Sequence, residues 1–256
     1  MDELTLILNT AEKRIQFLLC QGGIPLCAED WLARRGGTEL LTAALGDACA
    51  RLGLRPCGIR RIACAAGPGN FTGLRIGLAT TSGLARANKG KQAGFDYLHC
   101  LARNAQPRPG EEVLVMTNAR RDLAYCARFL TEDNGALRPL CKTFVTPLPA
   151  LSGKEALGQP QLMLGSAVTS NRALLSKAFP SALLLPPDFD HPAPAALLAM
   201  ERLINWETAD GTDIAPLYLR DCDAVENFTA IAIAQGRTPE LAREELERLT
   251  HSGLGS

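Results

Sequence analysis

A short apolar run, Arg61-Ile-Ala-Cys-Ala65, passes directly into Ala66-Gly-Pro-Gly-Asn-Phe-Thr-Gly73, and this loop opens onto small residues that continue to about Asn88. An apolar run bounded by glycines reads as a buried strand. The loop reads as a tight turn, and the small residues after it as a helix starting near Gly73. Strand, glycine turn and helix together point backbone N–H groups and a helix N-terminus at one spot, where an anion can sit. The same arrangement also lets a helix pack unusually close to a strand. Phosphate-loop motifs are absent: Gly67 and Gly69 fit G-x-G-x-x-G, but Thr72 stands where the third glycine belongs, and no Gly-Lys-Ser/Thr ending is present. On the residues alone, close packing is the better of the two readings.

The rest of the chain repeats a plan. Leu4–Leu8 suits a central strand, Asn9–Lys13 a turn, Arg14–Cys20 a returning strand and Ile24–Trp31 a third. Thr38 is a candidate N-cap, and Leu40, Leu41, Ala44, Leu45, Ala48 and Leu52 recur at helical spacing. Ala93–Tyr97 reads as a strand and Leu98–Ala105 as a helix. Gln106-Pro-Arg-Pro-Gly110 is the clearest break, and 256 residues are enough for two domains, so the boundary is placed there: 1–106 and 107–256. A second meander comes next, over Glu112–Thr117, Leu123–Leu130 and Leu137–Val145, with Asn134-Gly135 as a hairpin signal. Gln161–Leu164 reads as a strand, and Val168–Ala178 and Pro194–Asn205 as helices. Two meanders, each leading into strand–helix units, predict a duplicated α/β architecture with mixed sheets.

Composition narrows the function. Lys plus Arg equals Asp plus Glu at 27 each, whereas gripping nucleic acid unaided needs clustered cations. The pairs Arg34-Arg35, Arg60-Arg61 and Arg120-Arg121 read as solvated element ends. Nine irregularly spaced cysteines without a C-x-x-C pair argue against structural zinc and fit a reducing cytosol. No apolar stretch approaches the ~20 residues that span a bilayer, and Met1-Asp-Glu-Leu4 lacks a secretory n-region. A cytoplasmic protein with no membrane partner is expected. His99, His191 and His251 are not paired at metal-ligand spacing, and neither G-x-S-x-G nor Ser-x-x-Lys occurs. No catalytic or metal-binding residue is assigned.

From Gly67 to Ala85 the wording closely resembles the signature of the TsaB (YeaZ) family, which usually has Ser where Asn70 stands. The loop residues that carry the resemblance are Gly67, Pro68, Gly69, Asn70, Phe71, Thr72, Gly73 and Arg75. It implies two duplicated domains of the actin/sugar-kinase/Hsp70-like (ribonuclease H-like) plan. It also implies a role in making threonylcarbamoyladenosine on tRNA next to the anticodon. By that resemblance the chain is a non-catalytic scaffold that binds a TsaD-type catalytic subunit, alongside a TsaE-type ATPase. A homodimer is the other expected pairing, and tRNA is met only through the complex.

The departures from the family matter as much. Where members have Asp-Thr-Ser after the first strand, this chain has Asn9-Thr10-Ala11. Superfamily ATPases use that aspartate toward metal-bound phosphate, and Asn lacks the charge that Mg²⁺ needs. Where members have Asp-Ala-Arg-Arg-x-Glu-Val-Tyr, the chain reads Asn118-Ala-Arg-Arg-Asp-Leu-Ala-Tyr125. The histidine often found at the start of the first long helix is replaced by Gly37-Thr38. Ala215-Pro-Leu-Tyr-Leu-Arg220 resembles the family's closing Pro-x-Tyr-Leu-Arg and reads otherwise as a strand. No cofactor is expected. The alternative is a nucleotide-dependent phosphotransferase or a glycoprotease-like hydrolase using the interdomain cleft.

The helix after the glycine loop is apolar on two faces. Leu74, Gly77, Leu78, Thr81, Leu84 and Ala85 share one; Ile76, Ala79, Thr80 and Gly83 share the other. Such a helix is either internal or shared with a partner. The family pairs through its two long first-domain helices. The resemblance therefore puts partner contacts on Leu41, Leu45 and Leu52 of the first helix, and on Leu74, Gly77, Leu78, Thr81 and Leu84 of the second. Arg75 is expected to order the turn.

Overall fold

The computed structural model describes residues 3–33, 40–120, 122–148, 154–209, 212–219, 238 and 240–241. Arg34, Arg35, Gly37, Thr38, Arg121, Arg220, Cys222 and His251, singled out in the sequence, lie outside the described residues. Met1–Leu217 makes one compact unit and Tyr218–Ser256 another. Both sheets belong to the first.

The first sheet begins with the expected meander, β1 (Leu4–Asn9), β2 (Arg14–Gln21) and β3 (Ile24–Leu32). Helix α1 (Leu40–Arg51) leads to β4 (Ile59–Gly67), α2 (Phe71–Asn88) and β5 (Lys91–Asp96). The strand order is β3-β2-β1-β4-β5, with β1–β2 and β2–β3 antiparallel and β1–β4 and β4–β5 parallel. β1 is buried along its whole length, which is why it reads as a continuous apolar run. Leu4, Leu6 and Leu8 pack with Leu41 and Leu45 of α1 and Ala85 of α2 in one cluster. The opposite face is covered by α3 (Tyr97–Asn104) and by α6 (Pro194–Leu203), which pack on this sheet and on each other.

The second sheet repeats the plan with β6 (Glu112–Arg120), β7 (Leu123–Thr131), β8 (Leu137–Pro139) and β9 (Phe144–Pro147). Then come β10 (Leu162–Leu164), α4 (Ser166–Ser170), α5 (Arg172–Ala178) and β11 (Leu183–Leu184). Its order, β11-β10-β6-β7-β8 with β9 also on β7, mirrors the first sheet, and the parallel and antiparallel senses match. Leu114, Met116, Met163, Val168 and Leu175 form its core. The chain is thus an α/β protein of two mixed sheets with the same topology. Helix α3 touches β4 and β5 on one side and β6 and β7 on the other.

Several elements differ from their sequence reading for local reasons. Helix α2 starts at Phe71 because the Asn70 side chain caps it, accepting from the Gly73 N–H at 2.9 Å. The expected strand over Leu137–Val145 is two short strands, and the expected helix over Val168–Ala178 is two helices meeting at Asn171. Among the described residues around Ala215 no strand forms; the Leu217 N–H donates to the Ala66 carbonyl at 2.7 Å, which ties the segment to β4. Five cysteines, Cys20, Cys49, Cys64, Cys100 and Cys126, are buried as small hydrophobes, while Cys57 is exposed.

Candidate functional site

The duplicated topology brings two hairpin turns to one place. The β1–β2 turn (Asn9–Lys13) and the end of β6 (Asn118–Arg120) both line a cleft of about 920 Å³. The loop before α2 and the start of α4 complete it, together with Asp190 and His191.

Asn9 is buried, with both ends of its amide engaged. Its Nδ2 donates to Gln16 Oε1 at 2.8 Å, and its Oδ1 accepts from the Ala11 N–H at 3.1 Å. Gln16 Nε2 in turn donates to Asp30 Oδ2 at 3.1 Å and to the Pro192 carbonyl at 2.8 Å. The amide at this turn is therefore a structural tie inside its own sheet. Across the cleft, Asn118 is exposed; its backbone N–H donates to Ser166 Oγ at 3.0 Å and its Nδ2 to Ser170 Oγ at 3.3 Å. Among the described residues no group of three or more His, Cys, Asp or Glu side chains is placed to hold a metal ion.

Glu12 joins the two halves. Its carboxylate accepts from Ser166 Oγ at 2.6 Å, across 154 residues of sequence, and from Tyr97 Oη at 2.8 Å. Burial pushes its pKa up, the two hydroxyl donors oppose that, and nearby Asp190 adds to the rise. Tyr97 is driven well above its ordinary value by burial and by Glu12. Asp190 is raised by burial while accepting from Thr169 Oγ1 at 2.7 Å. With both carboxylate oxygens of Glu12 engaged, the group holds the cleft floor together.

The glycine loop presses on the first turn. A Cβ on Gly69 would collide with the Ala11 carbonyl, one on Gly73 with the Thr10 carbonyl, and one on Gly77 with Thr10 Oγ1. Asn70 N–H donates to the Ala11 carbonyl at 2.6 Å. Arg75 is exposed, its guanidinium lying 4.0 Å from the Phe71 ring centroid one turn back in α2.

The family model described as TsaD: tRNA N6-adenosine threonylcarbamoyltransferase matches residues 16–144, half of the chain. The tRNA threonylcarbamoyladenosine biosynthesis protein TsaB of Escherichia coli (strain K12) is 30% identical over 105 residues, which are 41% of this chain and 46% of that protein. The crystal structure of YeaZ from Pseudomonas aeruginosa shares the fold at a TM-score of 0.66 and 21% identity, covering 85% of this chain and 100% of that one. A further structure from the same organism, described as similar to the peptidase YEAZ, has a TM-score of 0.68 at 22% identity with the same coverages. The chain belongs to the TsaB/YeaZ family.

Within this TsaB/YeaZ protein, the signature loop has a packing reason: only glycines let the start of α2 approach Thr10 and Ala11. The eight residues expected from sequence as partner contacts do not share one surface. Leu41, Leu45, Leu74 and Thr81 are turned inward at 3% exposure or less, and Gly77 is buried against Thr10 and Cys64. Leu78 and Leu84 keep partial exposure on the same core cluster, and Leu52 is 38% exposed. The outward stripe of α2 is instead Arg75, Ala79, Gly83 and Ala87, and on α1 the exposed positions include Leu40, Ala43 and Asp47. Sequence reasoning missed Glu12, Tyr97 and Ser166. The signal that points to two of them is the duplication: Glu12 lies in the first turn, and Ser166 comes after Gly165 where the second half repeats the β4–α2 loop.

Proposed function

We propose that this chain is a non-catalytic accessory subunit in tRNA threonylcarbamoyladenosine biosynthesis. It docks on a TsaD-type catalytic subunit through the outward face of α1 and α2, with a TsaE-type ATPase as a further member and tRNA met in the complex. The observation that carries this reading is the state of the first cleft turn. In a TsaB/YeaZ-family chain, Asn9 stands where an acid would face metal-bound phosphate, and both ends of its amide are tied within its own sheet. The exposed small side chains Ala79 and Gly83 suit close helix approach. A homodimer through the same face is the competing pairing. The domain boundary at 106/107 is part of the same proposal, with 1–106 carrying the docking helices.

The test is co-purification of the full chain with the TsaD-type subunit of the same organism, then size exclusion with light scattering. A one-to-one complex is expected, lost in Ala79→Arg. A chain that stays alone or self-paired in the presence of that subunit overturns the reading. The cleft's volume, within the usual range for small-ligand sites, favours a second reading as a nucleotide-dependent phosphotransferase. Mg²⁺-dependent ATP binding by the isolated chain, measured by calorimetry, would select it.

A further inference from the structure

The end of the first sheet farthest from the cleft carries a cluster of cations that the accessory role does not use. Arg55 precedes a short 3₁₀ turn, Pro56–Gly58, that leads into β4. Arg60 lies one residue into the strand and donates to the Asn88 carbonyl at the end of α2. Asn88 Nδ2 closes the arrangement on the Pro56 and Ile59 carbonyls at 2.9 and 3.1 Å. Lys89 is next, in the left-handed conformation (φ 51°), and Gly90 lies against the Arg60 backbone, where a Cβ would sit 2.7 Å from the carbonyl oxygen. Lys91 pairs with Arg61 across β4–β5 and donates to the Trp206 carbonyl at 2.5 Å. These contacts gather Arg55, Arg60, Lys89 and Lys91 around one strand end.

Two acids at this end are already engaged, while Glu207, next to Trp206, is exposed. Glu3 pairs with Arg61 at 2.7 Å and Asp213 with Arg86 at 2.8 Å. Among the described residues, no carboxylate pairs with Arg55, Arg60, Lys89 or Lys91. The C-terminus of α2 attracts cations through its dipole, which accounts for Lys89 and one N–H of Arg60. It does not account for Arg55, or for the other donors of the Arg60 fork. In a chain of zero net charge, four cations at one strand end are a local excess.

The geometry points to this strand end as a phosphate-backbone contact surface for RNA. The choice of RNA among anions rests on the proposed role in tRNA modification. It also rests on what the patch lacks. Around Arg55 and Lys89 the described surface is mainly Pro56, Cys57, Gly58 and Gly90; Leu54 packs on the core, and Leu52, just past α1, is a single exposed leucine rather than an apolar patch that could enter a membrane. Trp206, a ring beside the cluster, is buried and lies under Arg61, so it offers no face for a base to stack on. Contact is therefore with phosphates and is independent of sequence. The patch sits at the start of the parallel strands and the cleft at their other end, roughly 30 Å away for a nine-residue strand. A bound RNA leaves the cleft and its turns untouched.

The test is fluorescence anisotropy of the full chain with labelled total tRNA at 50 and 200 mM KCl. If four phosphates are neutralised, affinity falls roughly 50- to 150-fold over that range, from a slope of about 0.7 to 0.9 per phosphate. In the double variant Arg55→Glu, Lys89→Glu the fall shrinks to roughly 7- to 12-fold, and binding at 50 mM KCl weakens at least tenfold. Arg138→Glu, on an exposed cation of β8 already paired with Glu132, leaves both numbers unchanged. Both positions of the double variant are exposed, and circular dichroism confirms that the variants fold. An unchanged salt slope in the double variant overturns the inference, as does tighter binding to phosphatidylserine vesicles than to tRNA. Co-purification of the double variant with the TsaD-type subunit separates the two readings. Retained pairing with lost tRNA binding supports both, and lost wild-type pairing with a patch-dependent slope leaves the surface standing while the accessory role falls.

Discussion

The two sheets share one strand order but not one scale. Strands β1, β4 and β5 are 6, 9 and 6 residues long, while β6, β10 and β11 are 9, 3 and 2. The helix after the first glycine loop has 18 residues; its counterpart α4 has 5. The long version makes a surface: α2 covers the sheet with one face and presents Ala79 and Gly83 on the other. The short version makes a floor, because α4 places Ser166 against Glu12 and then ends. A single topology thus carries a long helix with a free face in one half and a closure in the other, and the difference lies in how far each helix extends past its loop.

That comparison breaks first at the glycines. Gly73→Val sets a branched side chain against the Thr10 carbonyl, and an 18-residue helix has to shift as a body to relieve it. We expect about 3 kcal/mol or more of lost stability in urea unfolding. Gly165 (φ 109°) lies against the Met116 carbonyl in the second half. Gly165→Ala is strained too, but α4 is short enough to give way, and a loss of about 1–2 kcal/mol is expected. Equal losses at the two sites would mean that helix length does not set the tolerance.

How much of this was legible depends on how far apart the interacting residues stand. The first meander, the Gln106–Gly110 break and the Asn134-Gly135 hairpin are local signals, and each is where the chain turns. Gly135 has φ 77°, and Glu132 N–H bonds the Ala136 carbonyl at 2.8 Å. Strand β11, with two residues, carries no periodicity to detect. Asn9 stands in the predicted first turn and Asn118 in the resembled motif, but the Glu12–Ser166 bond spans 154 positions and leaves no pattern in either segment. The orientation of α2 was illegible for another reason. Both of its faces are apolar, so its inward face is chosen by where Gly69, Gly73 and Gly77 let it touch the β1–β2 turn.

Two titrations distinguish the seam between the halves from its floor. His99 of α3 stacks on Phe129 of β7 at 5.1 Å, and burial lowers its pKa from 6.5 to about 4, with Arg103 adding to the effect. The folded protein holds His99 neutral, so the unfolded chain binds the extra proton as pH falls from about 6.5 to 4, and stability drops across that window. The drop from this one group is about 3 kcal/mol at most, and His99→Leu should flatten the curve there. Glu12 works in the opposite sense. Its pKa is raised above 4.5 by burial, so the folded state binds the proton more tightly. Its contribution is largest at low pH and declines as pH rises through the folded value. Glu12→Gln keeps one acceptor, loses about 1–2 kcal/mol at pH 5, and removes that decline. Matching slopes in the two variants would mean the groups are coupled rather than separate.

The smallest effect tests the outward stripe of α2. Gly83 lies mid-helix, exposed, and a Cβ there meets no atom within 4 Å, in contrast to Gly77 six residues earlier on the inward face. A glycine in an exposed helix interior costs about 1 kcal/mol relative to alanine. Gly83→Ala should therefore raise the urea midpoint by the equivalent of about 0.5–1 kcal/mol, while Gly77→Ala lowers it. If Gly83 lies under a partner helix, the same methyl that stabilises the free chain weakens the complex, because the two helices no longer approach as closely. Higher stability with weaker pairing marks Gly83 as an interface position. Higher stability with unchanged pairing moves the interface off α2, toward the exposed end of α1 at Leu40.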